Sequence, residues 1–248
     1  MTRTQDLVRR LCGTLDHPLA PLLSGWCGGS RPFAAFAGAH EAKIRKKVRL
    51  ARTGDELADL TAELAVAAFL VRDPRFAAVY EPGRVPGERS PDLGVVFKVH
   101  SPFHAEVTRL RAPGPAEAEA APPEARLARV LGDKIGQCPP GAPTLLVVVL
   151  PPGAPRDGLV PAAVRLLDGA PGREVGPAPS DSAPPGSAPP DWRREAARAF
   201  QRRRPRLSAV LLCSLTPGGD LAEGRFWPNP GARHPLHPEV VRALTRTG

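Results

Sequence analysis

The stretch SPDLGVVFKVHSPFHAEVTRLR, residues 90–111, decides how we interpret the fold. It predicts two β-strands joined by a polar turn, with Asp92 opening the first strand and Glu106 inside the second. A half-buried strand rarely carries a carboxylate in its middle without a partner, because burying an unpaired charge is costly. The two acids therefore indicate either a metal site or a hairpin with charged edges.

Strand geometry places the two acids relative to each other. Alternation puts His104, Glu106 and Thr108 on one face of the second strand. If the strands pair through a turn near residues 99–102, Asp92 and Glu106 lie at one end of the sheet. Two close carboxylates repel each other when ionised, and a divalent cation relieves that repulsion. Oxygen ligands of this kind suit Mg²⁺ or Mn²⁺.

The rest of the chain alternates helical patterns with apolar strands. Helices that cover a mixed sheet predict an α/β fold, with a mixed central β-sheet flanked by helices. The predicted helices cover 5–15, 33–52, 53–71, 123–137 and 192–203, a helix or strand covers 159–168, and a last helix starts near 237. The predicted strands are 76–80, one from 92, 102–111, the apolar stretch 142–152, 207–215 and a short one near 225.

Composition divides the chain into four parts. We expect an N-terminal helical extension over 1–52 and an α/β core over 53–168. Residues 169–190 are rich in Pro, Ala and Ser and offer too little apolar surface to offset their ordering entropy, which predicts a disordered insertion. Residues 191–248 supply a helix and strands that complete the core.

Charge favours a polyanionic partner. The formal net charge is +9 and the isoelectric point is about 10.2, values that favour nucleic acid or an anionic membrane surface. The surplus is mostly Arg, in a chain rich in Ala, Gly and Pro, which weakens the signal. The basic cluster KIRKKVRLAR, residues 43–52, is either a solvated helix face or a phosphate-contacting one.

Several classes of protein are disfavoured. The four cysteines form no CxxC and no zinc-ligand spacing, so we expect free thiols in a reducing cytoplasm. The longest apolar run, TLLVVVL at 144–150, is far short of the ~20 residues of a membrane helix, and we expect a soluble protein without a membrane partner. GxSxG, P-loop and dinucleotide-binding motifs are missing from the sequence.

Three short motifs make one acidic pattern: Glu63 on the predicted helix, Pro91-Asp92 before the second strand, and Glu106-Val107-Thr108 in the third. This pattern, in helix-strand-strand-strand order over about residues 55–150, resembles the PD-(D/E)xK nuclease superfamily, which has the restriction-endonuclease-like fold. The likeness extends loosely to the C-terminus. It implies a Mg²⁺- or Mn²⁺-dependent deoxyribonuclease, in a superfamily with many dimers, so a homodimer is a further expectation.

The resemblance assigns roles by residue. Asp92 and Glu106 would be metal ligands, and Glu63 would match an additional acid that many members carry on the preceding helix. Lys134 and Gln137 lie where many members place active-site or DNA-contacting groups. The roles expected from the resemblance are catalysis for Asp92, Glu106, Lys134 and Glu63, and nucleic-acid contact for Gln137, His104, Thr108 and Arg109.

One position departs from the superfamily pattern. Thr108 stands where active members carry a lysine that orients the attacking water and stabilises developing charge. Lys134 reaching in from the next helix, or His104 on the same strand face as Glu106, would replace that lysine.

Three functions remain open at this point. The first is a metal-dependent nuclease, and the second is a catalytically inactive nucleic-acid-binding module, which Thr108 favours. The third is a structural or partner-binding protein, in which Asp92 is a turn acid, Glu106 pairs with Arg109 or Arg111, and Glu63 forms a salt bridge.

Overall fold

The structure is a computed structural model that describes residues 2–83, 90–112, 121–169 and 191–245. Its centre is a six-stranded mixed sheet in which the strands lie in chain order. The strands are β1 (Phe76–Tyr80), β2 (Leu93–Phe97), β3 (Ser101–Arg109), β4 (Thr144–Val149), β5 (Ala209–Leu215) and β6 (Leu221–Pro228). The α-helices are α1 (Arg3–Cys12), α2 (Ala20–Gly29), α3 (Arg31–Ala39), α4 (Glu41–Leu50), α5 (Gly54–Arg72), α6 (Pro123–Lys134), α7 (Leu159–Asp168), α8 (Asp191–Arg203) and α9 (Pro238–Thr245).

The sheet combines a meander with parallel crossovers. Strands β1, β2 and β3 pair antiparallel, β3–β4 and β4–β5 pair parallel, and β6 returns antiparallel to β5. Each parallel connection contains at least one helix: α6 lies between β3 and β4, and α7 and α8 lie between β4 and β5. Parallel strands require such crossover connections. The predicted mixed α/β architecture is confirmed at this level.

Each face of the sheet has its own hydrophobic core. On one face, helices α1 to α5 and α9 pack on residues such as Phe103, Ala105 and Val107 of β3. On the other face, α6, α7 and α8 pack on the alternate residues of β4 and β5. Strand β4 is buried along its whole length, which explains its uninterrupted apolar sequence.

Helix α5 begins where the sequence indicates. The Thr53 hydroxyl accepts the Glu56 N–H, and the Glu56 carboxylate accepts the Thr53 N–H, which makes a capping box. Its buried residues include Leu60, Leu64 and Ala68, so the helix packs its apolar side on the sheet.

Two local predictions in the N-terminal part are wrong. The Pro/Gly-rich stretch after α1 contains α2, where the proline lies in the first turn and Leu23, Trp26 and Cys27 are buried. Burial of these side chains outweighs the poor helix propensity of glycine. The predicted helix over 33–52 is two helices, because the chain turns at His40. The disordered insertion predicted over 169–190 lies, apart from Gly169, outside the described ranges.

The β2–β3 hairpin sets the register that brings the two acids of residues 90–111 together. Its turn is residues 98–100, shorter than the predicted 99–102, and Lys98 and Val99 both have positive φ. Phe97 pairs with Ser101 and Leu93 pairs with Ala105. The residue before Leu93 therefore lies beside the residue after Ala105.

Candidate active site

The candidate site lies at a step in the sheet. Strand β2 pairs with β3 only over 101–105, whereas β3 continues beside β4 to Arg109. Residues 106–109 of β3 therefore have no strand on their β2 side. There the Val107 N–H donates a 2.8 Å hydrogen bond to Asp92 Oδ2 instead of to a neighbouring strand. This register brings Asp92 and Glu106 to the same end of the two strands.

A cleft of about 270 Å³ opens at this step. It is walled by groups from three sides: α5, the end of β3, and the last turn of α6. The lining residues are Asp59, Glu63, Asp92, Val107, Thr108, Arg109, Arg111 and Lys134. Glu106 is not one of them, because its side chain is buried, with only 3% of the residue exposed.

Burial and mutual repulsion perturb the acids of the step. Burial, followed by the charges of Asp92 and Glu63, raises the pKa of Glu106 to about 8. Burial also raises the pKa of Asp92, although the Val107 N–H and the charges of Lys47 and Lys134 oppose that shift. Burial therefore favours the protonated forms of these two acids, because the nearby cations offset burial and mutual repulsion only in part.

Glu63 is held by two donors on one oxygen. Its Oε2 accepts hydrogen bonds from Lys47 Nζ at 2.7 Å and from the Tyr80 hydroxyl at 2.5 Å. Burial and Asp92 raise the pKa of Glu63, while Lys47 and Tyr80 oppose the rise. Burial lowers the pKa of Lys47, but the charge and hydrogen bond of Glu63 outweigh it, so that pKa lies above its ordinary value. The structural alternative of a salt bridge at Glu63 is thus observed.

Helix α4 contacts the site through the last residue of β1 and the residue that follows it. Lys43 Nζ donates to the backbone carbonyls of Tyr80, at 2.9 Å, and Glu81, at 2.5 Å. Lys47 also pairs with Glu81 at 3.2 Å and lies 5.0 Å from the centre of the Tyr80 ring. The Tyr80 N–H donates to His40 Nε2 at 3.3 Å. These contacts make α4 one wall of the region around Glu63.

Lys47 and Tyr80 are site residues that the sequence analysis missed. The buried Ile44 and Val48 of α4 were the available signal, because Lys47 lies three positions after Ile44 and one before Val48 and so borders the buried side of the helix. The partner of that lysine was invisible, because Glu63 lies 16 positions away along the chain.

Lys134 lies in the cleft, as the resemblance led us to expect. Its charge lowers the pKa of both Asp92 and Glu106, so it acts on the same pair of acids. Lys134 Nζ donates a hydrogen bond to Gln137 Oε1 at 3.1 Å, so Gln137 is in direct contact with the lysine. Thr108 lines the cleft beside them without a charge of its own.

The arginines at the end of β3 are committed to α5. Arg109 pairs with Asp59 at 3.2 Å and with Asp55 at 3.7 Å, and Arg111 pairs with the same two aspartates. An ion pair between Glu106 and Arg109 or Arg111, the structural alternative for that acid, is therefore not what these arginines form. Both arginines still line the cleft.

His104 stays apart from the cleft. It lies opposite Thr144 of β4 in the register, is not a lining residue, and its Nδ1 is buried without a hydrogen bond. Burial lowers the pKa of His104. Of the two groups expected to stand in for the missing lysine, the structure therefore brings only Lys134 to the cleft.

A divalent cation at the step would need oxygen ligands from the acids of the site. Within the described ranges, no three His, Cys, Asp or Glu side chains form a ready cation-binding group. Asp92 and Glu106 make a pair of oxygen donors, and the Glu106 carboxylate has no hydrogen bond or ion pair with any residue described. Asp92 in the cleft wall and the buried Glu106 beside it repel each other when ionised, which fits a cation that keeps several waters, as Mg²⁺ does.

Comparisons with known proteins add no relative: no protein-family model, no curated protein and no solved structure matches the chain. In the part of the chain that the structure describes, no helix has the length and apolar character needed to cross a membrane. The cleft itself is therefore the basis for any conclusion about function.

Proposed function

We propose that the protein is a metal-dependent nuclease that hydrolyses phosphodiester bonds of DNA, on a restriction-endonuclease-like variant of its α/β fold. The observation that carries the proposal is the pair Asp92 and Glu106, which lie at the step in the sheet near Lys134. Asp92 lines the cleft, Glu106 is buried beside it, and both pKa values are raised, which is expected of a functional site rather than of a hairpin edge.

Asp92 and Glu106 would hold the Mg²⁺ or Mn²⁺ ion, with Glu63 beside them. When bound, such an ion supplies a water of lowered pKa and neutralises charge on the scissile phosphate. Glu63 already bonds Lys47 and Tyr80 through Oε2, and its Oε1 has no hydrogen bond within the described residues. That second oxygen is the one available to a metal-bound water.

Thr108 stands where a lysine is expected, and Lys134 is the cation that this chain would use instead of that lysine. Its ammonium group would hold a phosphate oxygen in the cleft and stabilise the negative charge that grows there in the transition state. Gln137 limits where that ammonium group lies, since it accepts a hydrogen bond from it. Arg109 and Arg111 add positive potential at the cleft rim, although both are shared with Asp55 and Asp59.

A specific observation favours a second candidate, a nucleic-acid-binding module without catalysis. Asp92 already has a structural role as the acceptor of the Val107 N–H, and Thr108 carries no charge. Such a module would bind DNA with a strong salt dependence and leave it intact.

The test is cleavage of labelled single- and double-stranded DNA by purified protein with Mg²⁺ or Mn²⁺, against EDTA. We compare wild type with Asp92→Asn, Glu106→Gln and Lys134→Met. The matched controls are Glu195→Gln, an exposed acid on α8, and Lys98→Met, an exposed lysine paired with Glu239.

The nuclease predicts metal-dependent cleavage that both acid substitutions reduce by at least about a hundredfold and that the two controls leave intact. We expect Lys134→Met to lower kcat about ten- to a thousandfold, in line with loss of one charge-stabilising group. Binding of DNA without cleavage in any metal would support the non-catalytic module. Cleavage that survives both acid substitutions would refute the proposed site.

A further inference from the structure

The basic residues of α4 fall into two sets that do different things. Lys43 and Lys47 point inward and are used by the fold, through the contacts with Tyr80, Glu81 and Glu63 described above. The other basic residues form an outer face, which we define as Arg45, Lys46 and Arg49 of α4 and Arg52 just after the helix ends, all of them exposed.

The outer face has little counter-charge: one acid adjoins it, Glu56, which accepts the Arg52 backbone N–H at 2.8 Å and interacts with the charge of Arg52. In the described part of the chain, none of its four side chains has an ion pair or a hydrogen bond. The only acid of α4, Glu41, pairs with Arg10 at 2.9 Å. Residues 43–52 contain six basic residues and no acid, against a formal net charge of +9 for the whole chain. A large part of the chain's surplus charge is thus concentrated on one short segment.

This concentration is unfavourable for the isolated helix. Arg45 and Arg49 are four positions apart, and Lys46 and Arg49 are three apart, so like charges are neighbours on the helix surface. Attraction to the helix dipole favours basic residues only in the last turn, and cannot account for Arg45 and Lys46. The charges of the outer face are therefore not explained by folding.

The outer face adjoins the candidate active site through α4 itself. One side of the helix holds Glu63 through Lys47, and the outer face occupies the remaining solvent side of the same three turns. From Arg45 to Arg49, the last basic residue within α4, the distance along the helix axis is about 6 Å, which matches about two phosphates of one DNA strand at ~3.4 Å rise each.

We propose that the outer face of α4 binds the sugar–phosphate backbone of the nucleic acid whose scissile phosphate enters the cleft. This inference deepens the proposed nuclease function and rests on it for the identity of the polyanion. Long, exposed arginine and lysine side chains contact phosphates without reading bases, so the face supplies affinity and position rather than sequence preference. It also gives α4 two roles, since the same helix holds Glu63 and the substrate.

The experiment measures DNA binding in EDTA, where no metal-dependent cleavage occurs. A fluorescein-labelled duplex and its single strand are titrated with full-length protein at several salt concentrations, and Kd is read by anisotropy. The test variant replaces all four outer-face residues by Gln. The control variant makes the same charge change on the opposite side of the sheet, with Arg165, Arg198, Arg202 and Arg203, all exposed, replaced by Gln.

We expect the outer-face variant to lose about ten- to a hundredfold in affinity at ~0.1 M salt, and the slope of log K against log salt to fall by about 2 to 3. The control variant should keep most of the wild-type affinity. The Tm of the outer-face variant should equal or exceed that of wild type, because like charges are removed. A loss of binding with an unchanged or higher Tm therefore cannot be attributed to unfolding.

Other results overturn the inference. Equal losses in the two variants would show only a dependence on net charge. Unchanged DNA affinity of the outer-face variant would exclude the face. Binding of wild type to vesicles rich in phosphatidylserine, but not to DNA, would assign the face to a membrane surface instead.

The two proposals fail separately. Salt-dependent DNA binding that the outer-face variant loses, without cleavage in any metal, rejects the nuclease and keeps this interface. Cleavage that Asp92→Asn abolishes but the outer-face variant retains, with wild-type Kd, rejects the interface and keeps the nuclease.

Discussion

The backbone N–H of Val107 donates a 2.8 Å hydrogen bond to Asp92 Oδ2, at the point where β2 has ended and β3 continues. A side-chain oxygen thus completes the hydrogen bonding of a strand edge, and the same carboxylate lines the cleft. Asp92 is therefore a candidate for both a structural and a functional role. Experiments can separate the two roles.

Two substitutions at Asp92 distinguish these roles. Asp92→Asn keeps an oxygen that accepts from the Val107 N–H, whereas Asp92→Ala leaves that donor unsatisfied. We expect Asp92→Ala to be less stable than Asp92→Asn by about 1–2 kcal/mol, measured by urea unfolding. Both substitutions should abolish metal-dependent cleavage. Equal stabilities of the two variants would contradict the structural role of the carboxylate.

Lys47 and Glu63 should be coupled in their effect on stability. Their side chains are 27% and 15% exposed, so the pair is only partly screened by solvent. Lys47→Met leaves Glu63 beside Asp92 without its main counter-charge, and we expect it to cost about 1–3 kcal/mol. The double variant with Glu63→Gln should cost less than the sum of the single changes, by at least about 0.5 kcal/mol in a double-mutant cycle. Arg10 and Glu41, an exposed pair, provide the control cycle, with a coupling near zero to 1 kcal/mol.

Stability of the metal-free protein should fall as the pH rises. The pKa of Glu106 is raised to about 8, so the folded state keeps a proton that the unfolded chain releases near its ordinary pKa of 4.5. The folded state therefore binds more protons between these two values, and the free energy of unfolding decreases with pH across that window. In EDTA we expect a lower Tm at about pH 8 than at about pH 5.5.

Glu106→Gln tests the origin of that dependence, because glutamine cannot ionise. Its Tm should vary less between the two pH values than that of wild type, whereas Glu195→Gln should behave as wild type. Addition of Mg²⁺ at the higher pH should raise the Tm of wild type and of Glu195→Gln, but not of Glu106→Gln. The same pH dependence in Glu106→Gln would rule out this carboxyl as its source.

The cysteines should be unreactive in the folded protein. All four are buried free thiols, and burial raises the pKa of Cys12 and Cys27 to about 11 and of Cys138 and Cys213 to about 12. Only the thiolate reacts, so we expect no labelling by a disulfide reagent at about pH 8 in the native state. Four thiols per chain should be released to the reagent in denaturant. Rapid labelling of a native thiol would contradict the packing of its helix or strand.

The sequence by itself determined where the strands and most of the helices lie along the chain, because these positions depend on periodicities within a few residues. The alternation over 101–109 put Glu106 on the face opposite Phe103, and the apolar run of β4 indicated a strand buried on both faces. The sequence offered Thr53 or Asp55 as the cap of α5, and the structure has Thr53. Asp92 and Glu106 were also visible, since a carboxylate at the start of a strand or inside it stands out without knowledge of the fold.

Only the tertiary structure decided what surrounds those acids. The step in the sheet follows from β2 being shorter than β3, and Lys47 reaches Glu63 because α4 packs beside α5 and β1. Helix α2 forms in a Pro/Gly-rich stretch because burial of Leu23 and Trp26 outweighs local propensity. The pKa of Glu106 likewise depends on burial and on two acids distant in sequence, and these are properties of packing that no local pattern records.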